Sequence, residues 1–204
     1  YYEHNANFSI EGQDLAKNQI VYSTKFPEQF QFDGILGNDF LSEFDMVLNF
    51  PDGFVLLRKD HSVPFEELGF QAVITQFPMG YIILDGFINS SNSKKFMLDT
   101  GSGMSYIALN DDEKSDFSAG EKTHYFDALG KIQEGDVRIA KKVCIIVPIF
   151  CQDDAEFLTG KNSFQLNLQK NEKLFGLIGM NWLLEKEIVI SHSKRKIYFR
   201  NQQN

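Results

Sequence analysis

Asp99 follows the apolar residues Phe96, Met97 and Leu98 and precedes Thr100, Gly101, Ser102 and Gly103, in the run FMLDTGSGMSYI. A carboxylate carried to the end of a buried strand must offset the desolvation it suffers there. A carboxylate in such a turn can take a proton from a water molecule as a general base. Gly101 has no side chain to block approach to it, and the Gly101 backbone N–H can hold the carboxylate. Other elements must keep that turn in place.

Composition narrows what those elements can be. The 204 residues are 43% hydrophobic and 24% charged, which suits one large domain or two smaller lobes and not a disordered chain. Twenty phenylalanines, spread through short alternating runs, lean towards sheet. A net charge of −8 argues against a nucleic-acid surface, which needs a basic stripe. No apolar run approaches the ~20 residues of a membrane span; the longest, CIIVPIF (Cys144–Phe150), is strand-sized and holds a proline. Four scattered histidines (His4, His61, His124, His192) and two cysteines assemble no metal cluster at the usual ligand spacings. The plain reading of Cys144 and Cys151 is two buried thiols; the alternative, a short disulfide, would favour an oxidising, extracytoplasmic compartment.

Alternation and turn residues predict an all-β chain of many short strands, a sandwich or a barrel. Expected strands include Asp45–Phe50, Phe54–Arg58, Tyr81–Phe87, Lys95–Asp99, Lys131–Ile139, Val143–Ile149, Ser163–Leu168, Ile188–His192 and Lys196–Arg200. Three short helices are expected, at Asn38–Phe44, Asp111–Phe117 and Met180–Lys186.

The chain also repeats itself. GILGNDFLSEFDMVLNFPDGFVLLR (Gly34–Arg58) aligns without a gap on GLIGMNWLLEKEIVISHSKRKIYFR (Gly176–Arg200), at a constant offset of 142. Each copy opens on a glycine, two branched aliphatics and a second glycine: Gly34, Ile35, Leu36, Gly37 and Gly176, Leu177, Ile178, Gly179. Glycines there let another backbone pass close by, and the aliphatics between them are expected to be buried. Each copy should then form a strand, a short helix and a closing hairpin.

The Asp99–Ser102 motif, the two apolar residues before it and Gly176–Gly179 some way downstream resemble one lobe of an aspartic peptidase, pepsin-like or retropepsin-like. FDGILG (Phe32–Gly37) is similar to the corresponding segment of a first lobe. The resemblance implies a tandem of two closed β-barrel lobes: residues 1–58 as the back part of the first, 59–70 as a linker, and 71–204 as the second. It implies an endopeptidase acting on a peptide or protein substrate, without a cofactor or metal, by water activated between two aspartates that share a proton. Asp99 would be one of them, Ser102 would hydrogen-bond its outer oxygen, and Thr100 would lock the loop to its symmetry mate. A flap is implied in Thr123–Gly135, with Ala128, Leu129 and Gly130 at its tip, and Tyr106, Ile107 and Ile132 hint at an apolar groove wall.

The sequence departs from that pattern in one respect. It contains no second Asp-Thr-Gly or Asp-Ser-Gly, and at the repeat offset the matching aspartate falls before Tyr1. Three readings stay open. The other aspartate comes from an N-terminal segment of the same protein, or a second copy supplies it, or the chain is a catalytically inactive peptide- or protein-binding module on the same fold.

Overall fold

The computed structural model describes residues 2–10, 13–23, 34–77, 80–89, 92–109, 113–126, 132–145, 150–159 and 174–201. Strands β1 (Tyr2–Ile10) and β2 (Gln13–Ser23) form an antiparallel pair of their own. Helix α1 (Asn38–Leu41), β3 (Asp45–Asn49) and β4 (Phe54–Arg58) follow. After a 3₁₀ turn at Phe65–Leu68 come β5 (Gln71–Ile74), β6 (Ile82–Ile88), β7 (Lys94–Leu98) and β8 (Tyr106–Ile107). The rest is β9 (Ser118–Phe126), β10 (Ile132–Ile145), β11 (Phe150–Thr159), β12 (Gly176–Ile178), helix α2 (Met180–Leu183), β13 (Lys186–Ser191) and β14 (Lys196–Asn201). The fold is all-β with a few short helices, as the alternation predicts.

Six strands close a barrel in the order β11-β8-β12-β7-β6-β10, because β10 pairs back onto β11, and β9 extends it as a hairpin with β10. Phe96, Leu98, Leu84, Val143, Ile145 and Phe157 fill its interior, all nearly inaccessible to water. Burying each such side chain is worth about 1.5–3 kcal/mol.

The second sheet runs β4-β3-β13-β14-β5. All five residues of β3 are buried because both sheet faces are covered. Met46 and Leu48 face the main core, while Val47 packs with Val189, Tyr198, Phe65 and Phe70 on the other side. Phe65 and Phe70 come from 59–70, so this stretch lies tightly over the sheet.

The repeat is visible in the register. The β3–β4 hairpin pairs Asp45 with Arg58 and Asn49 with Phe54; β13–β14 pairs Glu187 with Arg200 and Ser191 with Lys196, the same partners shifted by 142. Even the turns agree. Gly53 and Arg195, equivalent positions, both adopt left-handed backbone, at φ 71° and 52°. Strands β3 and β13 pair antiparallel with Val47 opposite Val189, Asp45 opposite Ser191 and Asn49 opposite Glu187. Val47 and Val189 are themselves 142 apart, so a local two-fold axis passes between them.

The two copies differ where a strand is expected to open each. Gly176–Ile178 is a strand, but residues 34–37 have no regular structure, and Ile35 and Leu36 are 73% and 47% exposed where burial was expected. The physical reason is the neighbour: β12 lies between β7 and β8, and no described strand flanks Ile35 and Leu36.

Other expectations need correction. Both helices in the repeat stop a turn early, at Leu41 and Leu183, and of the expected Asp111–Phe117 helix only a 3₁₀ turn at Glu113–Asp116 forms among the described residues. The expected break near residue 140 is absent: β10 is continuous to Ile145. Exposed Lys141 and Lys142 interrupt the alternation there, and Asp154 on the opposing strand takes φ 50°. Cys144 and Cys151 face one another across β10 and β11 and form a disulfide, in place of two thiols. The expected strand Ser163–Leu168 lies outside the described residues.

Candidate active site

Met97 and Leu98 are buried on β7, and Asp99 stands half-exposed at the strand's end. Its backbone N–H donates to the Ile178 carbonyl at 3.0 Å, which ties the turn to β12. The Gly101 N–H donates to the Asp99 Oδ1 at 2.9 Å, as the motif suggests. Thr100 is half-buried. Ser102 departs from expectation: its hydroxyl donates to the Met104 carbonyl at 2.8 Å and not to Asp99.

The loop 99–105 is held mainly by residues the motif does not announce. Ser105 is fully buried, and both its N–H and its hydroxyl donate to Asn181 Oδ1, at 2.7 and 2.8 Å. The Gly179 N–H donates to the Ser105 hydroxyl at 3.0 Å, and the Met180 N–H to the Ser102 carbonyl at 2.8 Å. Asn181 Nδ2 donates in turn to the Glu156 carbonyl on β11 at 3.0 Å. A buried donor left unpaired costs about 1–3 kcal/mol, so this network fixes the loop firmly. The polar residue just inside α2 was visible in MNWL; that it faces the aspartate loop was not.

Gly176 and Gly179 do what the sequence suggests. A Cβ on Gly176 would sit 2.2 Å from the Tyr106 carbonyl oxygen, and one on Gly179 would sit 2.4 Å from that of Met104. Leu177 and Ile178 between them are buried. Only glycine lets β12 slide between β7 and the outgoing β8.

The β9–β10 hairpin leans on the same region, with Tyr125 edge-on to Tyr106 at 5.5 Å between ring centroids. The flap-tip candidates Ala128, Leu129 and Gly130 lie outside the described residues. Of the groove-wall residues, Ile132 is exposed and Tyr106 half-buried, whereas Ile107 is sealed in the core and cannot line a groove. A cavity of about 680 Å³ opens elsewhere, beside Asn49, Phe150, Glu187 and Arg200. Its Arg200 guanidinium is already engaged by Glu187 and the Leu68 carbonyl, so the Asp99 loop is the better candidate for chemistry.

No family profile and no curated protein matches the sequence. Among solved structures, the chain is similar to a retropepsin-like aspartic protease from Rickettsia conorii, at 17% identity over 64% of this chain and 90% of that one, with a TM-score of 0.41.

Proposed function

We propose that the chain carries one half-site of an aspartic-type endopeptidase, with Asp99 as one of two carboxylates that activate a water for attack on a peptide carbonyl. The supporting observation is the half-exposed Asp99 carboxylate, held by the Gly101 N–H in a loop locked through Ser105 and Asn181. A general base must be both positioned and reachable, and this one is. On this reading residues 1–58 and 71–204 belong to two lobes joined by 59–70, and the other aspartate comes from an N-terminal segment or a second copy.

A second reading has its own support. The 204 residues hold a single Asp-Thr-Gly, and a lone carboxylate on this fold suits a peptide- or protein-binding module that hydrolyses nothing.

Cleavage of a peptide library by the full-length protein across pH, with and without Asp99→Asn, separates the two. Asn keeps the shape and removes the base, so hydrolysis should fall by orders of magnitude, with an acid optimum in the unsubstituted protein. Undiminished cleavage by the variant would remove Asp99 from the mechanism. No cleavage by either protein at any pH would leave the binding module.

A further inference from the structure

We propose that His61 and Asp45 form a proton-dependent clasp, which fastens the turn after β4 to β3 when the imidazole is protonated and loosens it when the ring is neutral. This goes beyond the peptidase reading and does not depend on it.

The repeat shows why Asp45 needs a partner from outside its own hairpin. Its counterpart at the 142 offset is Glu187, whose Oε2 accepts at 2.9 Å from Nε of Arg200, the residue opposite it. Asp45 likewise stands opposite Arg58. The Arg58 guanidinium, however, is turned to Asp60, 3.9 Å away. Asp45 is left fully buried, and neither of its oxygens accepts a hydrogen bond from any described residue. An ionised carboxylate in that state is costly unless a positive charge stands beside it. The group at ion-pair distance is His61, its Nδ1 3.0 Å from Asp45 Oδ1.

The histidine is placed to respond to the medium. Its Nδ1 is shut away with the carboxylate, but the side chain as a whole is 37% exposed, so the ring exchanges protons with water. Histidine is the side-chain type that changes charge between about pH 5 and 8. Where folding brings a carboxylate against an imidazole, the charged ring is favoured in the folded state. The stability so gained is present in acid and lost as the ring gives up its proton.

The neighbouring groups do not blur that response. Within the turn, hydrogen bonds from Ser62, with smaller help from Arg58 and His61, hold the Asp60 carboxyl below the usual range. On β14, burial and the Glu66 and Asp45 carboxylates push Tyr198 up to about 12. Lys59 lies over the Phe44 ring, Lys194 Nζ donates to the Val63 carbonyl, and Lys196 pairs with Glu66. None of these is of a type that titrates over the histidine range. Residues 63–70 are held by those lysines, by Arg200 on the Leu68 carbonyl and by buried Phe65 and Phe70. Release is therefore confined to 59–62.

The test is urea unfolding of the full chain at about pH 5.5 and about pH 8, with amide exchange of Ser62 corrected for the intrinsic rate at each pH. His61→Ala should lower the folding equilibrium constant about tenfold more at the lower pH than at the higher. In an Asp45→Asn background that difference should vanish. Ser62 protection should fall about tenfold from the lower to the higher pH in the parent, and stay level in His61→Gln, whose side chain cannot take up the charge. His192, whose burial pushes its pKa down, gains stability with pH in parent and variants alike, so the comparison between them cancels it. An equal cost of His61→Ala at both pH values would overturn the clasp, as would a pH difference that survives Asp45→Asn. A difference abolished by Arg58→Ala would make Arg58 the partner and overturn it too. Should Asp45→Asn fail to fold, Ser62 protection in His61→Gln decides alone: a fall as large as the parent's sinks the proposal.

Discussion

Ser105 and Asn181 are joined twice, with the N–H and the hydroxyl of the serine both donating to the one amide oxygen. The pair closes the aspartate loop against α2, at a point where the serine is cut off from water.

Asn181→Ala leaves the Ser105 N–H buried without an acceptor and should cost about 1–3 kcal/mol in chemical denaturation. If the loop positions a reacting aspartate, kcat should fall more than KM rises. A change confined to stability would assign Asn181 a purely structural role.

Gly176→Ala drives a methyl group into the Tyr106 carbonyl and should destabilise by about 2–4 kcal/mol. Gly34→Ala, at the equivalent position, where no described residue lies within 4 Å of the added methyl group, should stay within about 0.5 kcal/mol. Equal effects from the two substitutions would mean that their surroundings do not differ as described.

Lys186 is buried beside Trp182, its ammonium 4.0 Å over the indole ring and donating to the Trp182 carbonyl. Burial pushes its pKa down to about 8. A lysine depressed in the folded state binds fewer protons there than in the unfolded chain between pH 8 and 10.5, so stability rises with pH across that window, by at most about 3 kcal/mol. Lys186→Phe places at this position the residue found at Phe44, whose ring lies 5.3 Å from that of Phe40. Thermal unfolding from pH 7.5 to 10.5 should show the rise in the parent and a flatter profile in the variant.

Asp45 is fully buried, with His61 Nδ1 3.0 Å from its Oδ1, at ion-pair distance but without hydrogen-bond alignment. His61→Ala removes the imidazole that faces the buried Asp45 carboxyl group and should cost about 1–3 kcal/mol, as for a buried polar group left alone. Asp45→Asn added to that variant should recover most of it. An additive double-mutant cycle would show that the two groups do not interact.

Reducing the Cys144–Cys151 disulfide opens only a short loop, so chain entropy sets its contribution at about 2.5 kcal/mol. Denaturation with and without reductant measures it, and an unchanged midpoint would show that this hairpin needs no staple.

Much of this architecture was legible because the repeat carries its own register. The hairpins Asp45–Arg58 and Lys186–Asn201 are apolar runs joined by short turns, and their equivalence follows from the gapless alignment. Strand β11 was not legible, since the polar run Gln152, Asp153 and Asp154 hides the pattern of Phe150, Ala155 and Phe157, which are buried. The disulfide depends on cross-strand register, which spacing alone does not determine. Asp99 and the glycines of β12 could be singled out because their chemistry demands those residue types. Ser105 could not: a serine is common, and its importance arises only from a contact 76 residues away.

The two-fold relation between β3 and β13 also governs when the protein can fold. All of β3 is buried, but its central partner Val189 lies 142 residues further along the chain. Contacts of such separation form late, because loop closure must precede the gain. During synthesis at roughly 5–20 residues per second, Val47 waits on the order of ten seconds or more for Val189 to appear. Throughout that interval Met46, Val47 and Leu48 belong to a hairpin with one side unclaimed, which leaves the emerging β3–β4 hairpin open to misassociation.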